Sequence, residues 1–127
     1  MRIELYTPQP QELWFRQKLL ADPETMSYNK GCGLDMPTYH NDTGCIDFPE
    51  EAWADWYARW VNNGRERFYA YLREGETGKF AGEVSLFQTE GPGVYEMGIV
   101  LHSACRGKGY SREGIHLLLN HAFGELD

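Results

Sequence analysis

The sequence has no long hydrophobic run. A membrane-spanning helix needs roughly 20 consecutive apolar residues, and no stretch of the 127-residue chain approaches that length, so we expect no membrane partner. Cysteine is scarce as well: the three cysteines, an odd number, build no disulfide framework. The first residues show no signal-peptide pattern. Together these absences favour a protein of the reducing cytoplasm.

Positive charge is also in short supply. Twelve Lys and Arg residues stand against 19 Asp and Glu residues, which gives a formal net charge of −7. Because nonspecific binding of nucleic acids requires a basic face that neutralises phosphates, this balance argues against a DNA or RNA partner. Apolar and aromatic residues, at 42% and 14% of the chain, are plentiful. At this length they predict one folded domain, residues 1–127, with its own core.

In the first half of the chain, apolar patterns predict one strand and two helices. Residues 2–7 alternate between apolar and polar side chains, as a strand does, and residues 11–21 follow with a helical pattern. Residues 26–46 have no clear period and are interpreted as a long loop with at most one short helical turn. A helix start at 47–50 and a stop at 62–64 enclose apolar residues at helical spacing: Trp53, Trp56, Tyr57, Trp60 and Val61.

In the second half, three strands and a final helix follow in close succession. Strands are predicted over 67–73, 79–88 and 94–101, separated by short glycine-containing turns that favour an antiparallel meander. An amphipathic helix is predicted over 109–124. This order predicts an α+β fold in which helices flank a mixed, mainly antiparallel sheet.

A glycine-rich basic turn joins the last predicted strand to the last predicted helix. From position 106 it reads Arg-Gly-Lys-Gly-Tyr-Ser, so two cations lie within it. A strand-to-helix junction of this kind presents several backbone N–H groups to one point, and the positive end of the helix dipole adds to their effect. The turn therefore predicts an anion site with a phosphate-bearing cofactor as its ligand. The alternative is a solvated glycine turn that only caps a helix.

The element order and this turn resemble the GNAT superfamily of N-acetyltransferases. The family motif is Arg/Gln-x-x-Gly-x-Gly/Ala at the start of the central helix. Arg106 and Gly109 match it, and Ser111 stands where Gly or Ala is usual. The resemblance extends over essentially the whole chain and implies a GNAT-like fold. It also implies acetyl-CoA as the cofactor, and transfer of an acetyl group to a primary amine of a small molecule or peptide.

The resemblance assigns cofactor contacts to two segments. The main chain of Ile99 and Leu101 would pair with the amides of the pantetheine arm, as an added strand does. The backbone amides of the turn would hold the pyrophosphate, because glycines let the chain approach an anion closely. The turn residues concerned are Arg106, Gly107, Lys108, Gly109, Tyr110 and Ser111.

Acetyl transfer to an amine needs a base, since only the unprotonated amine attacks a thioester. Glu96 is the first candidate and Glu83 the second, because an acidic residue within an apolar strand is costly unless it is exposed, paired or functional. For both residues the alternative is a side chain that points to solvent, and for Glu83 this alternative is preferred. His102, just after the strand, is a candidate proton relay or else a surface residue.

The resemblance implies that the long loop, residues 26–47, and the tryptophan-rich helix flank the acceptor site. The aromatic and acidic residues of the loop suit an amine: Tyr28, Asp35, Tyr39, Asp42 and Asp47. Trp53, Trp56 and Trp60 are instead expected in the core, because their spacing is that of a buried helix face.

Cysteine and histidine are present in numbers that require a zinc site to be considered. The candidate ligands are Cys32, His40, Cys45, His102 and Cys105. None of them has the paired C-x2-C spacing that is typical of structural zinc sites, so no metal site is expected.

The resemblance also implies a domain that is incomplete at its C-terminal end, because GNAT domains continue beyond this helix with further strands. Two alternatives to an enzyme follow from that expectation. One is a truncated or degenerate half-domain that binds CoA without catalysis. The other is a homo-oligomer that assembles through the open edge of its sheet.

Overall fold

The computed structural model of the protein describes residues 2–61, 67–88 and 95–125. In these residues, four strands form one antiparallel sheet in the order β1-β2-β3-β4. Their bounds are Ile3–Tyr6 (β1), Arg67–Glu74 (β2), Phe80–Gln88 (β3) and Tyr95–Leu101 (β4). Strands adjacent in sequence are adjacent in the sheet, so the predicted meander is confirmed. The parts of the sequence predictions that fall on 62–64 and on 89–94 lie outside the described residues.

Three α-helices of the described chain accompany the sheet. Their bounds are Trp14–Ala21 (α1), Trp53–Trp60 (α2) and Tyr110–Glu125 (α3). The first two begin later than the patterns predict, because each is preceded by a short 3-10 turn, at Pro10–Glu12 and Glu50–Ala52. The α+β class expected from the sequence is confirmed.

The start of α1 is fixed by a carboxylate that links it to β1. Oε1 of Glu12 accepts hydrogen bonds from the Gln9 backbone N–H (2.7 Å) and from the Tyr6 hydroxyl (2.6 Å). Pro10 stands at the first position of the turn, where a missing N–H leaves no bond unmade. The direction of α1 relative to the sheet is therefore set at its first turn.

Side chains of β2 alternate between the two faces of the sheet. Tyr69 and Tyr71 point to a core formed with α1, α2 and residues 45–48. Ala70 and Leu72 point to a second core, formed with α3. The sheet is thus covered on one face by α1 and α2 and on the other by α3.

The tryptophans of α2 belong to the first of these cores, as their spacing predicts. Trp56 is buried, and its ring meets that of Tyr69 edge-on with centroids 4.8 Å apart. Trp53 and Trp60 are partly buried against the same cluster. They hold α2 on the sheet.

Candidate functional site

The turn between β4 and α3 has a main chain suited to an anion. Gly107 and Gly109 adopt φ values of +83° and +81°, which only glycine adopts without strain. The first residue of α3 is Tyr110. No acceptor in the described residues takes a hydrogen bond from the backbone N–H groups of 107–112. These donors lie at the positive end of the helix dipole, where an anion is stabilised.

The two cationic side chains of the turn are partly engaged within the protein. Nη2 of Arg106 donates to the backbone carbonyl of Thr25 at 2.9 Å. Nζ of Lys108 lies 3.7 Å from Oε2 of Glu74. The directed donors free to meet a ligand are therefore the main-chain N–H groups rather than these side chains.

Tyr110 anchors the first turn of α3 through its side chain. Its buried ring carries a hydroxyl that donates to Oε2 of Glu74 at 2.6 Å. This hydrogen bond is the main reason why the pKa of the Glu74 carboxyl lies below its usual range, and it also raises the pKa of the Tyr110 hydroxyl.

Arg2, the residue before β1, braces the turn, a contact that the sequence analysis missed. Its Nη2 donates to the carbonyl of Lys108, and its Nε lies 2.8 Å from Oε1 of Glu113. Its guanidinium carbon lies 5.1 Å from the centre of the Tyr110 ring. Arg2, Glu74 and Tyr110 line a cleft of about 410 Å³ beside the turn. An arginine near the N-terminus carries no local sequence signal for such a role.

The main chain of β4 presents free groups at the edge of the described sheet. The His102 N–H donates to the Ala81 carbonyl at 2.9 Å, which extends the ladder between β3 and β4. In antiparallel pairing, the main-chain groups of alternate residues point to the same side. The N–H and C=O groups of Val100, two residues before His102, therefore face β3 as well. Ile99 and Leu101, the residues predicted to meet the pantetheine arm, direct their N–H and C=O groups to the open edge.

Glu83 does not point to solvent, so the preferred interpretation of this residue is wrong. Only 8% of the residue is exposed, and its two carboxylate oxygens accept from Nη1 of Arg16 at 2.7 and 2.6 Å. The Tyr69 hydroxyl donates to Oε1 of the same carboxylate. The reason is the strand register, which turns Glu83 towards α1 rather than away from the core.

Aromatic rings surround the guanidinium of Arg16. Its central carbon lies 4.4 Å from the ring centre of Trp56 and 5.2 Å from that of Phe48. Burial, the largest single effect, lowers the pKa of Arg16, but the charges and hydrogen bonds of Glu83 and Tyr69 together outweigh it and the pKa is raised. Burial, together with the same carboxylate, raises the pKa of Tyr69 well above its usual range. At neutral pH the group is thus a buried ion pair with a neutral tyrosine.

Glu96 is exposed on the same face of the sheet. It lies opposite Phe87 in the register of β3 and β4, so its side chain shares the face of Glu83 and of α1. Among the described residues it takes part in no ion pair. Its carboxylate is therefore available to solvent and to a ligand at the edge of β4.

The loop predicted to flank the acceptor contains a 3-10 turn, Ser27–Asn29. Tyr28 is 58% exposed; partial burial, and then the charge of Glu83, raise the pKa of its hydroxyl. Tyr39 instead donates to the Asn29 carbonyl and holds the loop together. Asp47 lies 2.9 Å from His40, and Asp35 and Asp42 are exposed.

His102 is neither a free surface residue nor placed against Glu96. Its Nδ1 accepts from the Ala104 N–H at 3.1 Å, and its Nε2 lies 3.6 Å from Oδ2 of Asp22. It therefore caps the 3-10 turn Ser103–Cys105 that precedes the glycines.

The five residues considered as zinc ligands are not brought together. In the described ranges, no three His, Cys, Asp or Glu side chains are grouped so that they could hold a metal ion. The three cysteines are free thiols: Cys32 is exposed, Cys105 partly buried and Cys45 buried. No helix of the described residues has the length and apolar character needed to cross a membrane.

Comparisons with known proteins bear on the family and the fold of the chain. Residues 2–127 match the family profile described as acetyltransferase (GNAT) domain. A GNAT-family acetyltransferase from Bacillus anthracis has a similar structure, with a TM-score of 0.71 at 17% identity, covering 99% of this chain and 65% of that one. A spermidine N-acetyltransferase from Vibrio cholerae, in complex with CoA and spermine, gives a TM-score of 0.72 at 16% identity and covers 98% and 66%.

The chain thus spans about two thirds of the length of these structural relatives. At such low identity the likeness shows the fold alone. A comparison with curated protein sequences gave no match.

Proposed function

The chain belongs to the GNAT acetyltransferase family, and we propose that it transfers an acetyl group from acetyl-CoA to a primary amine. The observation that carries the proposal is the row of free N–H groups at 107–112, next to a β4 edge with free main-chain groups. A pyrophosphate fits the first and an extended chain of amides fits the second. The residues present therefore suit acetyl-CoA.

In this proposal, main-chain groups make most of the contacts with acetyl-CoA. The N–H groups of residues 107–112 donate to the pyrophosphate, while Lys108 adds positive charge near it. Ile99 and Leu101 orient the pantetheine arm along the edge of β4. Acetyl-CoA, when bound, supplies the acetyl group as an activated thioester.

The base that we assign is Glu96. An acceptor amine arrives protonated at neutral pH, and an exposed carboxylate on the edge strand β4 would take up its proton. Glu96 is exposed and unpaired among the described residues, whereas Glu83 is held by Arg16 and Tyr69. Glu83 would have to leave a buried ion pair before it could act as a base. It is therefore the second choice.

The acceptor class that the chain suits best is a small cationic amine. The net charge of −7 and the exposed Asp35 and Asp42 favour attraction of a cation to the chain. Tyr28 adds an exposed aromatic ring. Since one structural relative is a spermidine N-acetyltransferase in complex with spermine, polyamines are the first acceptors to test. Three free thiols fit a cytoplasmic enzyme.

A second candidate function rests on a separate observation. The edge of β4 is unpaired in the described sheet, and the chain spans about two thirds of its structural relatives. A CoA-binding module that pairs with another copy through β4, without catalysis, would use the same edge.

The two functions are separated by an acetyl-transfer assay. Release of free thiol from acetyl-CoA is followed with spermidine, spermine and simple primary amines as acceptors, and CoA binding is measured in parallel. Amine-dependent thiol release supports the enzyme. Binding without release supports the module, and absence of both refutes the two proposals together.

A further inference from the structure

The segment that leads into the cofactor turn is tied to the end of α1. The tie involves Asp22 and Thr25 on one side, and Ser103 and Arg106 on the other. Three hydrogen bonds connect the two sides, which are about 80 residues apart in sequence (separations of 78 and 81), and a fourth joins Thr25 to Asp22. We call this group of four residues the α1 clamp. Neither its pattern nor its spacing marks it in the sequence.

Thr25 is the centre of the α1 clamp. It is fully buried (0% exposed), and its hydroxyl accepts from the Ser103 N–H at 2.9 Å. The same hydroxyl donates to Oδ2 of Asp22 at 2.5 Å. Its backbone carbonyl accepts from Nη2 of Arg106 at 2.9 Å. One residue thus contacts both ends of the 3-10 turn that precedes Gly107.

Asp22 completes the arrangement as an acceptor. Its Oδ2 takes a second hydrogen bond from the Ser103 hydroxyl at 2.8 Å, and its backbone carbonyl accepts from the Met26 N–H at 2.9 Å. The hydrogen bond from Thr25, more than any other contact, lowers the pKa of the Asp22 carboxyl. The carboxylate is thus ionised at neutral pH, and charged acceptors form the stronger hydrogen bonds.

We infer that Thr25 and Asp22 are positioning residues that hold the cofactor turn in its binding geometry before the cofactor arrives. The inference rests on the proposed function, since it requires that CoA binds at this turn. Free N–H groups bind an anion well only if they already converge, because ordering them on binding consumes part of the binding free energy. The α1 clamp fixes residues 103–106, from which Gly107 continues.

A hydroxyl-deletion series tests this inference. Thr25→Val removes the hydroxyl and keeps the shape, Thr25→Ser keeps the hydroxyl, and Ser27→Ala is the matched control. The hydroxyl of Ser27, two residues away, is exposed and donates only to the Glu24 carbonyl. The readout is the Kd for CoA by titration calorimetry, with the melting temperature of each variant recorded.

Loss of the Thr25 hydroxyl should weaken CoA binding about tenfold, as expected when a buried hydrogen bond network loses a member. Thr25→Ser and Ser27→Ala should bind CoA within about twofold of the wild type. In steady-state assays Thr25→Val should raise the KM for acetyl-CoA, with kcat and the KM for the amine unchanged.

Each failure has its own signature. If the wild-type chain does not bind CoA, the proposed function itself is refuted. If the wild type binds and Thr25→Val binds equally well, the inference is overturned, as it is if kcat and both KM values change together. Should Thr25→Val not fold, Ser103→Ala decides, since it removes only the bond to Asp22. About threefold weaker CoA binding supports the clamp, and an unchanged Kd contradicts it.

Discussion

Arg16 of α1 and Glu83 of β3 form an ion pair in which a single guanidinium nitrogen donates to both carboxylate oxygens. The distances are 2.7 and 2.6 Å, and the side chains retain only 18% and 11% of their exposure. The pair joins the first helix to the sheet beneath the ring of Trp56. Since neither charge is well solvated, each depends on the other.

The first prediction concerns this pair. Arg16→Met leaves the Glu83 carboxylate buried without its partner, and Glu83→Gln does the same to the Arg16 guanidinium. Because an unpaired buried charge is costly, each variant should lower the free energy of unfolding by about 3–5 kcal/mol. The double variant Arg16→Met/Glu83→Leu should recover most of that loss, because no buried charge remains. Urea denaturation measures all three.

The exposed pair of Arg59 and Asp55 on α2 provides the control. Their side chains are 58% and 80% exposed with a separation of 3.1 Å. Removing either partner should leave stability nearly unchanged. If Arg16 and Glu83 behave like this pair, the description of a buried, mutually dependent ion pair is wrong.

The second prediction compares two glycines that both adopt a positive φ. Gly107 and Gly78 have φ values of +83° and +74°, and an added Cβ would meet nothing within 4 Å at either position. Alanine should therefore destabilise the fold by a similar amount, on the order of 1 kcal/mol, at both. Only Gly107→Ala should weaken CoA binding, because Gly78 lies in the turn between β2 and β3. Equal CoA affinities would remove the turn from the cofactor site.

The third prediction concerns pH. The pKa of Asp22 is lower in the folded protein than in an unfolded chain, chiefly through the Thr25 hydrogen bond. The contribution of Asp22 to the free energy of unfolding is therefore complete above the pKa of the unfolded chain, about 4. It is lost as the pH falls through the lower pKa of the folded protein. Asp22→Asn should reduce stability at neutral pH and flatten its decline in acid. The measurement is the free energy of unfolding of each protein as a function of pH. If the two plots run parallel down to acidic pH, the prediction is wrong.

The fourth prediction concerns the base. Glu96→Gln should reduce kcat/KM on the order of a hundredfold or more and change its dependence on pH. The melting temperature should stay the same, since Glu96 is exposed and unpaired in the described chain. A variant that retains rate and pH profile would exclude Glu96 and return attention to Glu83.

Local patterns were sufficient to predict the order of strands and helices. Each of these signals is contained in a short segment of the sequence. They are the alternation in β2 and β3, the helical spacing of Trp53, Trp56 and Trp60, and the glycines at 107 and 109. The antiparallel meander then follows from short turns. The turn at 106–111 could be recognised as a candidate anion site for the same reason: its chemistry is contained in one contiguous segment.

Contacts between distant segments were not predictable in the same way. Glu83 meets Arg16 across 67 residues, and Arg2 meets Lys108 across 106. Each contact depends on how a helix or strand is rotated about its own axis when it packs. A polar residue in an otherwise apolar pattern does not reveal that rotation. For this reason Glu83 was expected at the surface, and the roles of Arg2, Arg16 and Thr25 were missed.

The central claim is that the turn after β4 holds acetyl-CoA, and an amide NMR titration of the wild-type chain with CoA tests it most directly. The largest shifts are predicted for the N–H groups of 107–112, followed by Ile99 and Leu101, while the turn at 75–78 stays unchanged. A titration that saturates with its largest shifts elsewhere, or that moves no amide of the turn, would contradict the claim.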